Sequence, residues 1–419
     1  MTDICVLGLG YIGLPTASVL AANGFKVLGV DIARHVVDTI NSGGIHIEEP
    51  GLHTLVQAAI GSGNLHAATA PESADVFIVA VPTPLTPDKR ADMSCVISAA
   101  ESLLPLLKKG DLVILESTSP PGTCRDLLKP ILERTGLAVG RDLFLAHCPE
   151  RVLPGKILQE LIRNDRVIGG FDSESAEKAR AVYARFVEGS IYLTDVTTAE
   201  MVKVIENTYR DVNIALANEA ALLCEKLGIS FWDVARFANR HPRVNVHNTG
   251  PGVGGHCISV DPWFLVEEFP EDARIIRLAR ERNDAMPAHV VSVVRNLLTG
   301  IVQPKVAVLG LAYKGNVDDI RESPAIHAVE LLEAEGYRVN VYDPHVHRAP
   351  FALDTLETCL QDADCLLLLT AHQEYLDLDP AEAARRMRTR IVFDTHHLLE
   401  HSTWAQAGFQ VRVLGIGRA

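Results

Sequence analysis

The sequence predicts an α/β protein of two Rossmann-like doubly wound domains joined by a long central helix. Three observations carry this. Strand and helix patterns alternate from residue 4, the alternation restarts at residue 305, and between them Thr197 to Leu227 reads as one helix without glycine or proline. A chain of 419 residues has room for two or three domains, and 47 % hydrophobic residues supply more than one core.

The elements follow in order. Ile4–Gly8 is an apolar strand, residues 13–23 a helix and Lys26–Val30 the next strand; Asp75–Val81, Asp111–Leu115 and Phe144–His147 read as further buried strands of a parallel sheet. This first domain is taken as residues 1–190. A central helical domain, 191–298, holds the long helix and a second helix over Ser230–Ala238. The third domain, 299–419, repeats the pattern with strands at Lys305–Gly310, Arg338–Tyr342, Asp364–Leu369 and Arg390–Phe393 and a helix at Glu322–Glu335. A helix as long as the central one commonly bridges domains or forms an oligomer interface, so a homodimer or larger homo-oligomer is expected.

Charge limits the partners. With 39 Lys+Arg against 53 Asp+Glu the formal net charge is −14, which argues against nucleic acid and against an anionic membrane surface. The longest apolar runs, such as Leu366–Leu369, are too short to span a bilayer, and no basic leader precedes the first strand. The eight cysteines contain no C-x-x-C pair, so no metal site is written in local spacing. They read as reduced thiols of a cytoplasmic protein, with Cys5, Cys224 and Cys365 in apolar stretches.

Gly8-x-Gly10-x-x-Gly13 leaves a strand and opens a helix, and Asp31 closes the second strand 18 residues after Gly13. This is a dinucleotide fingerprint in its proper context. Gly8 permits the turn, Gly10 lets backbone approach the pyrophosphate, and Gly13 lets the helix pack on the sheet. A carboxylate at Asp31 accepts ribose hydroxyls and repels a 2′-phosphate, so the cofactor is NAD rather than NADP. The second start, Gly310-Leu-Ala312-Tyr-Lys314, breaks the glycine spacing and suits a mononucleotide instead. In Gly250-Pro-Gly-Val-Gly-Gly-His-Cys257, four glycines crowd one cysteine, with Asp261 four residues on. The residues alone leave open a structural turn with a buried cysteine or an accessible thiol suited to attack on a carbonyl. Lys203, Asn207 and Arg210 share one face of the long helix, which is either solvated or functional.

Taken together, Gly8-Leu-Gly-Tyr11-Ile12-Gly13, Val81-Pro-Thr83-Pro, Ser117-Thr118-x-Pro-Pro-Gly, Cys148-Pro-Glu150-Arg151-Val152-Leu-Pro-Gly, Lys203-x-x-x-Asn207, His241-Pro-Arg243-Val-Asn, Gly254-Gly-His-Cys257-x-x-x-Asp261 and Gly310-Leu-Ala-Tyr313-Lys314 with Arg321-Glu-Ser-Pro resemble the UDP-glucose/GDP-mannose dehydrogenase family over essentially the whole chain. The resemblance implies four-electron, NAD-dependent oxidation of the C6 primary alcohol of a UDP-sugar to a uronic acid, with two NADH formed. Cys257 would hold the thiohemiacetal and thioester. Lys203 and Asn207 would stabilise the oxyanion, Asp261 and Thr118 would position Lys203 or a water, and Glu150 would take part in thioester hydrolysis. Gly8, Gly10, Tyr11, Ile12, Gly13, Asp31, Thr83 and Thr118 would contact NAD. Arg151, Val152, Lys203, Asn207, Arg210, His241, Arg243, Gly254, Tyr313, Lys314 and Arg321 would bind the UDP-sugar. Members acting on UDP-glucose carry a second Glu four residues after Glu150; Pro154 stands there, which favours an N-acetylated sugar, UDP-N-acetyl-D-mannosamine, of the kind oxidised for bacterial surface polysaccharides. UDP-N-acetylglucosamine or UDP-glucose would be the alternative substrates. A non-catalytic nucleotide-binding regulator is the reading from another class, and it has no use for Cys257, Lys203, Asn207 and Asp261 together.

Overall fold

In a computed structural model of the chain, residues 2–417 are described. Contacts divide it into two compact units, Met1–Glu206 and Asn207–Ala419.

The first unit is an eight-stranded sheet of β1 (Ile4–Leu7), β2 (Val27–Val30), β3 (Leu65–Ala68), β4 (Val76–Val79), β5 (Leu112–Leu115), β6 (Phe144–His147), β7 (Arg166–Gly170) and β8 (Ile191–Asp195). Their spatial order is β3-β2-β1-β4-β5-β6-β7-β8. The first six strands thus adopt the dinucleotide-binding order, with the switch between β1 and β4. β1, β2, β5 and β6 are buried at every position, as strands covered on both faces must be.

One pairing departs from the expected parallel sheet: β6 and β7 are antiparallel, with His147 opposite Gly169. An ion pair joins the two strand ends. Arg166, which opens β7, binds Glu150, three residues beyond the end of β6, at 2.7 Å. The start of β7 is therefore pinned beyond the C-terminal end of β6. Four strands were not anticipated: β3, β7, β8, and β13 in the second unit. Leu65-His-Ala-Ala lacks β-branched residues, Arg166–Gly170 ends in two glycines, and β8 and β13 carry exposed positions rather than an apolar run.

The second unit holds a five-stranded parallel sheet of β9 (Lys305–Leu309), β10 (Arg338–Tyr342), β11 (Cys365–Leu368), β12 (Ile391–Asp394) and β13 (Gln410–Val413), ordered β10-β9-β11-β12-β13. The long helix, Val196–Leu227, is continuous over 32 residues and crosses the boundary between the units. Met201, Ile205, Tyr209, Leu216, Leu223 and Leu227 fall on one side of it and are all exposed, Leu227 by 71 %. Its opposite face carries a buried polar network within the second unit. Asp211 pairs with Arg280 at 2.5 Å and accepts from Asn283, Asn218 donates to Asn283 at 2.9 Å, and the Asn218 oxygen accepts from the Thr249 hydroxyl and the Gly250 N–H. Helix and glycine-rich segment are thereby fixed to each other. No helix of the described residues is long and apolar enough to cross a membrane.

Candidate active site

In the first unit the three fingerprint glycines do different work. Gly8 has φ +91°, and a Cβ on it would lie 2.5 Å from the Ala80 carbonyl oxygen. A Cβ at Gly13 would overlap the Gly8 carbonyl oxygen, whereas one at Gly10 would meet nothing within 4 Å. The space left by Gly10 is thus open, as approach of a pyrophosphate requires. Asp31, half-buried, accepts the Leu9 N–H at 3.1 Å and the Ala33 N–H at 2.9 Å, one per oxygen. A carboxylate has about four acceptor positions, so it keeps capacity for ribose hydroxyls. The Thr83 hydroxyl donates to the Thr118 carbonyl at 2.7 Å, tying the loops after β4 and β5 together. These residues fit NAD.

Glu150 and Arg151 follow β6. The Glu150 side chain is 7 % exposed and both its oxygens are engaged, one by Arg166 and one by the Arg151 N–H at 2.7 Å. Arg166 lies over the Tyr183 ring at 4.7 Å, and the Tyr183 hydroxyl donates to Glu116 at 2.6 Å. Burial pushes the Glu116 carboxyl up to about 7. Arg151 pairs with Glu206 of the long helix, and Val152 is half-buried beside it. Lys203 is half-buried, one turn before Asn207 on the same helix.

The second unit gathers the cysteine loop. The Asn207 amide donates to Asp261 at 2.6 Å, and the Asp261 N–H bonds the Cys257 carbonyl at 2.8 Å. Cys257 is half-buried with its sulfur 3.1 Å from His256 Nδ1. Burial holds Cys5, Cys148, Cys359 and Cys365 up at about 12, which makes their thiols inert. A Cβ on Gly255 would touch the Tyr313 ring at 2.9 Å, one on Gly254 would lie 2.5 Å from the Glu322 carbonyl oxygen, and the Gly255 N–H donates to the Arg321 carbonyl. The glycines therefore serve close packing against the 313–324 segment. Tyr313 is raised by burial and then by the charge of Asp319 and Cys257, against the pull of Arg321 and Arg210. Asp319, Cys257, Arg321 and Arg210 therefore all act on the Tyr313 hydroxyl through their charge. Arg321 is held by Asp319 at 2.6 Å; Lys314 is exposed next to Tyr313. His241 and Arg243 stand on an exposed turn, where the Arg243 N–H donates to His241 Nδ1.

Sequence reasoning missed Arg166, Glu116, Asn218, Asn283, Asp319 and His256. Only His256, beside Cys257 in the chain, offered a local signal.

A strand–loop–helix cradle fitted to NAD in the first unit and a half-buried cysteine in the second are the parts of a nucleotide-linked dehydrogenase. The chain belongs to the UDP-glucose/GDP-mannose dehydrogenase family, a family of NAD-dependent UDP-sugar dehydrogenases. The family's NAD binding domain matches residues 2–187, its central domain 197–285 and its UDP binding domain 307–401. The chain is 49 % identical to UDP-N-acetyl-D-mannosamine dehydrogenase of Methanococcus maripaludis, over 99 % of this chain and 97 % of the relative. It is 48 % identical to NDP-N-acetyl-D-galactosaminuronic acid dehydrogenase of Ralstonia nicotianae, over 94 % of this chain and 95 % of that one. A solved UDP-D-ManNAc dehydrogenase of Pyrococcus horikoshii superposes with a TM-score of 0.94 at 41 % identity, covering 100 % of both chains.

Proposed function

We propose that the chain oxidises C6 of UDP-N-acetyl-D-mannosamine to the carboxylate through a covalent adduct on Cys257. The observation that carries this is the half-buried Cys257, whose carbonyl accepts the Asp261 N–H at 2.8 Å while the Asp261 side chain accepts the Asn207 amide at 2.6 Å. NAD, when bound, supplies the hydride acceptor for each of the two oxidations. The Cys257 thiolate adds to the aldehyde carbon, forming a C–S bond and a hemithioacetal oxyanion that takes up a proton. The hydroxyl proton and the second hydride then leave together to give a thioester; water adds to its carbonyl, the C–S bond breaks, and the carboxylate and the thiol are released. Lys203 and Asn207 stabilise the oxyanion, Asn207 being fixed by Asp261. Glu150, with both oxygens engaged, takes part in hydrolysis as an anchored acceptor rather than a mobile base. Arg151, Arg210, Arg243, Lys314 and Arg321 supply positive charge for the diphosphate, and Val152, His241, Gly254 and Tyr313 line the sugar nucleotide.

The test is turnover of a UDP-sugar panel with NADH counted per sugar. Two NADH per UDP-N-acetyl-D-mannosamine, with UDP-glucose much slower, is the expected result. Faster use of another N-acetylhexosamine would move the assignment to the class of the Ralstonia relative. Cys257→Ser is expected to bind NAD and UDP-sugar yet lose at least about 10³-fold in kcat; full activity would overturn the covalent route. The exposed stripe from Met201 to Leu227 is, in this reading, the homodimer interface, with residues 191–298 as the dimerisation domain. A charged residue at Leu216 should raise the monomer fraction in sedimentation.

A further inference from the structure

The first unit buries a cluster that no step above uses. Cys124 lies just after Gly122 in the turn that follows β5, His147 is the last residue of β6, and Glu200 sits on the first turns of the long helix. All three are 0 % exposed. The Cys124 sulfur, a His147 ring nitrogen and a Glu200 oxygen lie within 4.8 Å of one another. Neither ring nitrogen of His147 makes a hydrogen bond of normal geometry, its approach to the Leu115 backbone falling short of one. Buried imidazoles are almost always satisfied, so an orphaned ring aimed at a thiol and a carboxylate asks for a ligand. Glu200 accepts the Gly122 N–H at 2.5 Å and the Cys124 N–H at 2.7 Å, which fixes the carboxylate and leaves lone pairs on both oxygens. Cys124 is the second residue of a π-helical turn, Thr123–Leu128, whose wide geometry recurs at functional positions.

We propose that Cys124, His147 and Glu200 form a binding site for one divalent cation of the zinc class. The donor set is thiolate, imidazole and carboxylate. Tetrahedral coordination at about 2.0–2.3 Å places donors roughly 3.3–3.8 Å apart, so closure needs shifts of about 1 Å. Binding releases the thiol proton. The thiolate and carboxylate then balance the two positive charges, and a neutral complex is the form a dry interior tolerates. The site would clasp the start of the long helix to the ends of β5 and β6. Lys203 lies three residues beyond Glu200, Glu150 three beyond His147, and Thr118 six before Cys124, so the clasp would stiffen the frame that carries them.

The experiment uses the full chain carrying Cys95→Ser and Cys257→Ser, which removes the accessible thiols. After chelator treatment it is titrated with Co²⁺ and then with Zn²⁺. One equivalent of Co²⁺ should give a thiolate-to-cobalt charge-transfer band that Zn²⁺ abolishes. Cys124→Ser and His147→Gln, each added to this background, should lose it. Zinc at a hundredfold excess over Kd should raise Tm by about 5 °C or more in the background and not in the variants. No band in the background, or a band that survives Cys124→Ser, overturns the proposal. Should the variants not fold, X-ray absorption of the cobalt-loaded background decides: one sulfur in the first shell supports the site, and a shell of nitrogen and oxygen alone overturns it.

Discussion

The two Rossmann-like sheets begin alike and end differently. β1 runs into Gly8-Leu-Gly10, and Asp31 stands at the tip of β2; β9 runs into Gly310-Leu-Ala312, and Asp343 stands at the tip of β10. In the first unit Asp31 accepts two backbone N–H groups and remains half-buried. Asp343 accepts the N–H groups of Leu311, Ala312, His345 and Val346, and the buried ring of His372 lies 3.0 Å from it. Its side chain is fully buried. Burial opposes ionisation there, yet His372 and the N–H donors outweigh it and hold the carboxyl down at about 2. The same residue at the same topological place keeps acceptor capacity in one sheet and is a saturated structural node in the other. A strand-tip acid thus signals a dinucleotide only when it has acceptor capacity to spare.

This contrast can be broken by placing matched substitutions in the two units. The largest effect is expected at Gly13→Ala, whose Cβ would overlap backbone: a loss of about 4 kcal/mol or more in calorimetry, against under about 1 kcal/mol for Gly10→Ala. The Gly10 variant should instead lose NAD affinity in a fluorescence titration, and unchanged affinity would contradict the open cradle. Next, Asp343→Ala should cost about 3 kcal/mol by stranding buried donors while leaving the KM for NAD alone.

The pH dependences should oppose one another. Glu116, raised from 4.5 to about 7, contributes stability below pH 4.5 that is lost as pH rises through 7, about 3 kcal/mol in all. Asp343, lowered from 3.8 to about 2, contributes about 2 kcal/mol above pH 4 that is lost as pH falls through 2. Denaturant midpoints from pH 4.5 to 8 should therefore flatten in Glu116→Gln; an unchanged slope would count against a buried, protonatable Glu116. The smallest effect is Asp31→Ala, with little change in Tm but about 1–2 kcal/mol less discrimination against NADP in kcat/KM.

Strand starts such as Ile4 and Lys305 were legible because buried parallel strands are continuous apolar runs, and the cofactor glycines because a turn, a close approach and a tight packing each leave a fixed spacing. The antiparallel return of β7 was not. It comes with Arg166 meeting Glu150, a pairing across 16 residues with no local pattern. The network that anchors the cysteine loop was hidden for the same reason, since Asn218 and Asn283 lie 65 positions apart. Nor does glycine spacing alone show that three of that loop's glycines leave room for Tyr313, Glu322 and Pro324.

The burial of the thiols has a practical corollary. Of eight thiols, six are buried, Cys224 with 5 % of its surface exposed, and Cys95 and Cys257 are the two more open to solvent. A mild electrophile added to the folded protein therefore has two destinations, and Cys95→Ser reduces them to one. The chain becomes a single-site substrate for covalent tagging, in which the rate of labelling reads out occupancy of the cysteine loop and a warhead can be ranked without following NADH.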